Sequence, residues 1–295
     1  MGAPGLKAGG RGLPAGVGAG PGAGDRGPIG PGRPEGEGAD VLLGPNVVRE
    51  ALRSGRRKVR RILLAREARD ERLGEIVALA GRQGIPIRQV PRDRLEAVAG
   101  AGQHQGIVAL ADPYEYADPE AMAAGAAARS ALPLLVALDG IEDPHNLGAI
   151  LRTAEVFGAD GVILPKHRAA GVTATVLRAA SGAAEHLPVA RATNLAACLE
   201  RLKGLGYWVC GADLEGGTPL DRADLGRPLV LVVGGEHTGV RPGIRGHCDL
   251  LVTIPMAGRV GSLNASVAAG IVLYEIHRHR TAKIEENIDK KQGIV

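Results

Sequence analysis

Residues 137–164, ALDGIEDPHNLGAILRTAEVFGADGVIL, decide the fold class of this chain. They read as a strand that ends at Asp139, a seven-residue loop, a helix from about Leu147 and a second strand. Both strands are nearly continuous apolar runs, which is typical of parallel strands covered on both faces. A strand–helix–strand unit of this kind predicts an α/β domain built on a parallel sheet.

The same pattern continues to the C-terminal end of the chain. Further apolar strands are predicted at YWVCGAD, LVLVV and LLVTIP, and further helices at about 172–183, 194–204 and 264–279. We therefore expect an α/β domain over residues 134–282, followed by a polar C-terminal tail, residues 283–295.

Three different segments precede this domain. Residues 1–39 are rich in Gly, Pro and Ala with almost no bulky apolar side chains, which predicts a disordered tail. Residues 40–112 alternate short helical and strand patterns and predict a small α/β module. Residues 113–133, PYEYADPEAMAAGAAARSALP, are predicted to be a linker with one helical turn.

Positive charge is concentrated in the small module. Residues 41–112 hold 14 Lys/Arg against 8 Asp/Glu, a net of +6, whereas residues 113–295 hold 18 against 20, a net of −2. A solvated helix end would explain the densest stretch, RSGRRKVRR, and a surface for RNA phosphates would explain it equally. The candidate phosphate contacts are Arg53, Arg56, Arg57, Lys58, Arg60 and Arg61.

Composition excludes several classes of protein. The three cysteines are widely spaced without a C-x-x-C pair, which argues against a zinc site or disulfide framework and fits a reducing compartment. No apolar run approaches the roughly 18 residues of a membrane helix, and no signal-peptide pattern opens the chain. We expect a cytoplasmic protein that needs neither a metal nor a membrane.

Three strands run into unusual loops, and ligands bind beyond the carboxyl ends of strands in such sheets. The first loop places Asn146 at a helix start and Arg152 in the second turn. A purely structural interpretation makes Asn146 a helix cap and pairs Arg152 with Glu155 or Asp143.

The other two loops are richer in glycine. LVVGGEHTGVRP places Gly234 and Gly235 after a buried strand, where the backbone can come close to a ligand, and Glu236 at the strand tip. TIPMAGRVGSLNAS places Ser262 and Asn264 just before the last helix, although one polar residue would suffice as a cap.

Taken in order, these loops resemble the three signature motifs of the SpoU (TrmH-type) RNA ribose 2′-O-methyltransferases. The module over residues 40–112, with HQGIVA at 104–109, resembles the ribosomal-protein-like substrate-binding domain of the same family. DPHNLGAILRTAE and ASGAAEHLPVARATNL are most similar to the members that methylate a guanosine of 23S ribosomal RNA.

The resemblance implies properties that residue spacing could not show. It implies a SPOUT-type sheet with a deep trefoil knot, a homodimer, and S-adenosylmethionine as the cofactor. The implied cofactor-binding residues are Gly234, Gly235, Ile254, Met256 and Leu263. The implied catalytic residues are Arg152, Asn146, Glu236, Ser262 and Asn264.

The residue matching Arg152 is assigned the central role in the family, sometimes as the base. Because a guanidinium keeps its proton in proteins, we do not expect Arg152 to act as the base. We expect its planar guanidinium to bind an RNA phosphate through paired hydrogen bonds and to stabilise the developing alkoxide. Three alternatives stay open: a tRNA ribose methyltransferase, a non-catalytic RNA-binding or ribosome-assembly protein, and a Rossmann-type enzyme. The last lacks a Gly-rich fingerprint after a strand.

Overall fold

The computed structural model describes residues 38–100, 102–214, 216–235 and 239–292. The predicted tail over residues 1–39 lies outside the described residues except for Gly38 and Ala39. Glu236 and the end of the predicted C-terminal tail, residues 293–295, lie outside them as well.

Within the described residues, the first module contains a four-stranded mixed sheet in the order β1-β4-β2-β3. Strand β4 is antiparallel to β1 and β2, and β2 is parallel to β3. Its elements are β1 Asp40–Leu43, α1 Pro45–Ser54, β2 Val59–Ala65, α2 Leu73–Arg82, β3 Ile87–Val90, α3 Arg92–Ala99 and β4 Ile107–Ala111. The predicted α/β module is therefore present, with β1 as an additional strand.

Helix α1 shows how local chemistry sets the bounds of an element. Pro45 occupies its first turn, where the missing N–H costs nothing, and Gly55 ends it in the left-handed region with φ 62°. Asn46 is the second residue of this helix, and its Oδ1 accepts a hydrogen bond from Arg72 Nη1 at 2.6 Å.

The segment over residues 113–133 is more ordered than a linker with one helical turn. It contains the eleven-residue helix α4, Pro119–Arg129, which buries Met122, Ala123 and Ala126. The prediction of one turn was wrong because small alanine side chains give little amphipathic signal, yet they allow close packing against a sheet. The Met122 side chain lies so close to Gly161 that a Cβ there would be 2.2 Å from its sulfur.

The second sheet contains seven strands among the described residues, in the order β7-β6-β5-β10-β8-β11-β9. All of its strand pairs are parallel. Its elements are β5 Leu134–Asp139, α5 Pro144–Val156, β6 Gly161–Pro165, α6 Ala174–Ala179, β7 Val189–Ala192, α7 Leu195–Gly204, β8 Trp208–Ala212, β9 Thr218–Pro219, β10 Leu229–Gly234, α8 Pro242–Arg245, β11 Leu250–Thr253 and α9 Ala265–Gln292.

Both faces of this sheet are covered, as the apolar strands predict. Leu134, Val136 and Leu138 of β5 join one core, whereas Leu135 and Ala137 join the other. This alternation follows from the two-residue period of a strand. The first core includes α5, α6 and α9 and continues into the first module, and the second includes α4, α7 and α8.

The predicted α/β fold with a parallel catalytic sheet and a preceding module is confirmed. No helix within the described part of the chain is both long and apolar enough to cross a membrane.

Candidate active site

Helix α5 is capped by a residue that the sequence interpretation overlooked. The Asp143 carboxylate accepts hydrogen bonds from the N–H groups of His145 and Asn146, at 3.1 and 3.4 Å, and Pro144 begins the helix. The interpretation of Asn146 as the cap is therefore wrong. Its side chain is left available for a contact elsewhere.

That contact joins the first loop to the third. Asn264 Nδ2 donates to Asn146 Oδ1 at 3.0 Å, across 118 residues of sequence. Asn264 Oδ1 also caps α9, because it accepts from the N–H groups of Ser266 and Val267 at 3.0 and 3.3 Å. Asn264 thus combines a capping role with a link between two motifs, which explains why the helix start carries more than an ordinary cap.

Arg152 lies on an exposed surface of α5 and forms no ion pair with any other described residue, including Glu155 and Asp143. Its Nη1 donates to Ser181 Oγ at 3.3 Å. Ser181 has a φ of 53°, which holds this hydroxyl in a tight turn before Gly182. The guanidinium therefore keeps most of its donors for a ligand.

A groove connects Arg152 to the first module. One wall is formed by α5 and the turn at Ser181, and the other by Asn46, Arg49 and Arg53 of α1. The lining also includes Glu155 and Glu50, and Glu50 pairs with both Arg49 and Arg53. Three arginines from both parts of the chain therefore share one channel with two carboxylates, a net positive charge that favours a polyanion.

The five predicted cofactor-binding residues lie around a single pocket at the carboxyl edge of the second sheet. These are Gly234, Gly235, Ile254, Met256 and Leu263. The other described residues that line it are Ala212, Asp213, Leu214, Val233, Gly239, Val252, Ala265 and Ala268. Arg152, Asn146, Ser262 and Asn264 are not among its described lining residues.

Gly234 and Gly235 meet Gly239 beside this pocket. Gly239 N donates to Gly235 O at 2.9 Å, and a Cβ on Gly234 would lie 1.9 Å from Gly239 O. Gly234 is therefore required for the close approach of two backbone segments, which differs from the predicted room for a ligand.

Asp139 binds Arg241, just after Gly239 in the sequence. This fully buried carboxylate, at the end of β5, accepts from the Arg241 backbone N–H at 2.9 Å and from Nε at 2.8 Å, and it also pairs with Nη2. The hydrogen bonds that Arg241 donates to the carboxylate raise the pKa of Arg241 above its ordinary value. Arg241, at the start of α8, is thus anchored to β5.

Two predicted catalytic residues have less defined places. Ser262 is half-buried in the segment between β11 and α9, and Glu236 lies outside the described residues. Among the residues that the structure describes, no group of three or more His, Cys, Asp or Glu side chains is arranged to hold a metal ion.

The basic cluster of the first module divides into exposed and buried cations. Arg53 is paired with Glu50 and Glu75, and Arg60 with Asp112, at exposed positions. Lys58 is exposed. Arg57, in contrast, has a side chain only 6% exposed. A phosphate contact through Arg57 is inconsistent with this burial.

Arg57 instead holds the module against the catalytic domain. Its Nη1 lies 3.2 Å from Oε1 of the fully buried Glu185, and its Nη2 lies 3.0 Å from Asp40 Oδ2. Burial raises the pKa of Glu185, and the charge of Arg57 opposes that rise. Around this pair, Arg56 Nη1 donates to His186 O at 2.9 Å, and His186 Nε2 lies 2.9 Å from Glu50 Oε2.

Comparison with known proteins agrees with this geometry. Residues 133–274 match the SpoU rRNA Methylase family, and residues 41–117 match the RNA 2′-O ribose methyltransferase substrate-binding family. Together they define the class as S-adenosylmethionine-dependent RNA 2′-O-ribose methyltransferases.

Individual relatives extend over most of the chain. A Bacillus subtilis protein, YacO, assigned to the TrmH family of tRNA/rRNA methyltransferases, is 44% identical over 241 residues, which cover 82% of this chain and 96% of that protein. The SpoU methyltransferase AviRb from Streptomyces viridochromogenes, solved with AdoMet, is 25% identical with a TM-score of 0.69, over 83% of this chain and 91% of its own. An AdoMet-bound rRNA methyltransferase from Sinorhizobium meliloti is 26% identical with a TM-score of 0.68, over 82% and 88%.

The chain belongs to the SpoU methyltransferase family. The predicted family, enzyme class and cofactor are thereby confirmed.

Several residues of the site escaped sequence reasoning. Asp143 followed by Pro144 is a recognisable helix-start signal that places α5 three residues earlier than predicted. Ser181, Glu185 and Arg241 carry no local signal for their roles, because their partners lie 29, 128 and 102 residues away.

Proposed function

We propose that this enzyme methylates the ribose 2′-hydroxyl of a guanosine in 23S ribosomal RNA. The observation that carries the proposal is the convergence of five motif residues on one pocket, beside the Asn146–Asn264 link. The choice of ribosomal RNA over tRNA rests on the basic module and on the similarity of DPHNLGAILRTAE to the ribosomal enzymes.

The pocket suits the proposed cofactor. Ile254, Met256 and Leu263 offer apolar surface for a flat purine, and Asp213 offers a carboxylate for polar groups. We assign binding to these side chains together with Gly234 and Gly235. When bound, S-adenosylmethionine supplies an already activated methyl group, so the protein's own work is to position the ribose and assist loss of its proton.

Arg152 is assigned the stabilisation of negative charge on the 2′-oxygen. Its hydrogen bond to the Ser181 hydroxyl steadies the guanidinium without neutralising it. The planar guanidinium has several N–H donors, so it can bind a neighbouring RNA phosphate and the developing alkoxide at the same time. Because guanidinium does not act as a base at neutral pH, the proton leaves through the phosphate or a water. Asn146, Asn264, Ser262 and Glu236 are assigned supporting positions around the ribose.

The groove between α1 and α5 is the proposed RNA path. It brings Arg49 and Arg53 of the module to the same channel as Arg152. We retain Arg53, Arg56, Lys58, Arg60 and Arg61 as phosphate contacts, and affinity for RNA should then fall steeply with salt.

We further propose a homodimer that forms through α5 and α9. Val267, Ile271 and Tyr274 recur at helical spacing on α9 and are 50%, 38% and 54% exposed, and Val156 of α5 is 64% exposed. A continuous apolar stripe of this kind is typical of a contact surface. A second copy is the proposed occupant, as the family resemblance implies. The deep knot and a cytoplasmic location, where ribosomal RNA is made and modified in bacteria, also stay predictions.

Replacing Arg152 by lysine tests the proposed chemistry. Lysine keeps the charge but loses the planar guanidinium, so affinity for S-adenosylmethionine should be unchanged while turnover falls by about 10²–10³-fold. Methyl transfer from labelled cofactor to total RNA, followed by mapping of 2′-O-methyl positions, measures turnover and target together. A near-normal rate would contradict the role of Arg152, and label confined to tRNA would favour the tRNA alternative. Absence of transfer by the unaltered protein to any RNA would favour a non-catalytic function.

A further inference from the structure

The cofactor pocket contains one charged side chain among its described lining residues, Asp213. This residue directly follows β8, and its side chain is only 7% exposed. The other described side chains that line the pocket are apolar or absent. Burial of a carboxylate in such surroundings is costly unless hydrogen-bond donors compensate it. We therefore expect the Asp213 carboxylate to accept hydrogen bonds, either from the protein or from a ligand.

The protein supplies only part of that compensation. Asp213 Oδ1 accepts a hydrogen bond from the Leu214 backbone N–H at 2.8 Å. Asp213 Oδ2 lies 2.7 Å from Arg245 Nη1 as an ion pair, is shielded from solvent, and has no partner in hydrogen-bonding geometry among the described residues. Each carboxylate oxygen offers about two acceptor sites, so one site remains on Oδ1, the oxygen beside Gly239 of the pocket lining.

Gly239 keeps one edge of this carboxylate accessible. A Cβ at position 239 would lie 3.0 Å from Asp213 Oδ1, and the backbone there has a φ of 57°. A side chain at this position would crowd the oxygen and strain the turn. Gly239 itself therefore places no side chain against Oδ1 of Asp213.

We propose that Asp213 binds the ribose diol of S-adenosylmethionine, with Oδ1 accepting a hydrogen bond from one of the two hydroxyls. The inference rests on the proposed use of this pocket for the cofactor. Either of two neighbouring hydroxyls can supply a donor to the acceptor site that remains on Oδ1. An acidic residue at a strand end binds ribose in the same way in dinucleotide-binding sheets.

The alternative partner in the cofactor is the ammonium of its methionine end. Arg245 pairs with Asp213 at 2.7 Å and offsets its charge, which makes Asp213 a better acceptor for neutral hydroxyls than a partner for a second cation. The ribose is also bonded directly to the adenine, for which the apolar lining is suited. The methionine end must instead reach outward to the RNA.

A diol contact has a distinctive kinetic consequence. The cofactor and its demethylated product, S-adenosylhomocysteine, carry the same ribose, so Asp213 should stabilise both equally. Asp213→Asn should therefore raise the KM for the cofactor and the Kd of the product in parallel, by roughly 10- to 100-fold, with kcat at saturation nearly unchanged. A role confined to the methyl transfer step would lower kcat instead.

Calorimetric titration with ribose analogues provides the direct test. The probes are S-adenosylhomocysteine, its 2′-deoxy and 3′-deoxy forms, and 5′-methylthioadenosine, which keeps the diol but lacks the ammonium. The unaltered enzyme should bind at least one of the deoxy probes about tenfold more weakly than S-adenosylhomocysteine. In Asp213→Asn this discrimination should disappear. Asp221→Asn, with a side chain 67% exposed, is the matched control and should behave like the unaltered enzyme.

Each other result has a defined meaning. Equal affinity of the unaltered enzyme for the diol and both deoxy probes overturns the proposal, and this comparison needs no variant to fold. Discrimination that persists in Asp213→Asn also overturns it. If Asp213→Asn binds S-adenosylhomocysteine weakly but 5′-methylthioadenosine normally, the ammonium is the partner and the diol proposal is wrong. Failure of the unaltered enzyme to bind any probe contradicts the proposed function itself.

Discussion

Replacing Arg57 by methionine should destabilise the protein far more than replacing any exposed cation of the same basic stretch. The Arg57 side chain is 6% exposed and lies 3.2 Å from the fully buried Glu185 carboxylate. Methionine preserves much of the volume but leaves Glu185 buried without its counter-charge. Breaking a buried ion pair in this way costs about 3–5 kcal/mol of unfolding free energy. Arg60→Met removes an exposed pair with Asp112 and should cost less than about 1 kcal/mol.

The loss should depend on pH with a definite sign. Burial raises the pKa of Glu185, so the folded protein holds this proton more tightly than the unfolded chain does. Stability from such a group is present at low pH and is lost as pH rises through the folded pKa. Without Arg57 that pKa rises further, because the opposing positive charge is gone. The penalty of Arg57→Met should therefore be largest at about pH 8 and smaller at about pH 5.5.

Urea unfolding followed by far-ultraviolet circular dichroism measures this effect at both pH values. The double variant Arg57→Met, Glu185→Leu removes both charges, and it should recover most of the lost stability. Three results would each refute the reasoning: a penalty below about 1 kcal/mol at the higher pH, the same penalty at both pH values, or a double variant no more stable than the single one.

RNA binding separates the buried cation from the exposed ones. Lys58 is exposed, so Lys58→Met should reduce the slope of log affinity against log salt by about one. Arg57→Met, measured where it stays folded, should leave that slope unchanged. A reduced slope for Arg57→Met would instead show that this guanidinium reaches phosphate in the complex.

Three further substitutions probe the site and the proposed dimer. Gly234→Ala should weaken cofactor binding at least tenfold and lower the unfolding free energy by about 1–3 kcal/mol, because its Cβ would lie 1.9 Å from the Gly239 carbonyl oxygen. Gly243→Ala is the control, since its Cβ would meet nothing within 4 Å, and it should have neither effect. Calorimetric titration measures the affinity and urea unfolding measures the stability. Asn264→Ala should cost about 1 kcal/mol in urea unfolding through loss of the α9 cap, whereas Asn264→Asp should keep it. Ile271→Asp should halve the mass seen by light scattering, and an unaltered protein that is already monomeric would contradict the proposed interface.

The sequence predicted elements well where a single local signal was strong. The bounds of β5 and β6 agree with their apolar runs. Short strands were missed: β1 and β7 each span four residues, and β9 spans two. In strands so short, period-two alternation cannot be distinguished from chance, and pairing to neighbours distant in sequence decides their existence.

The motif residues were predictable as a set, but their contacts were not. Spacing placed Asn146 and Asn264 beside two different helices, and only the fold brings them to 3.0 Å. Arg57 looked like its exposed neighbours because charge density says nothing about burial. The acid that neutralises it, Glu185, comes from the other domain. Tertiary partners of this kind decide whether a cation binds RNA or holds the protein together.

The placement of Arg152 gives the homodimer proposal a geometric reason. Arg152 follows Asn146 by six residues, so along α5 it is displaced by about 9 Å and rotated by about 120° from it. Asn146 accordingly contacts Asn264 at the start of α9, whereas Arg152 contacts Ser181 on the side of α6. None of the described residues that line the cofactor pocket belongs to α5, so the pocket and the Arg152 guanidinium of one chain are separate. In a twofold dimer the same surface of each copy forms the interface. A second copy packed on the apolar stripe of α9 would therefore bring the pocket of one protomer towards Arg152 of the other.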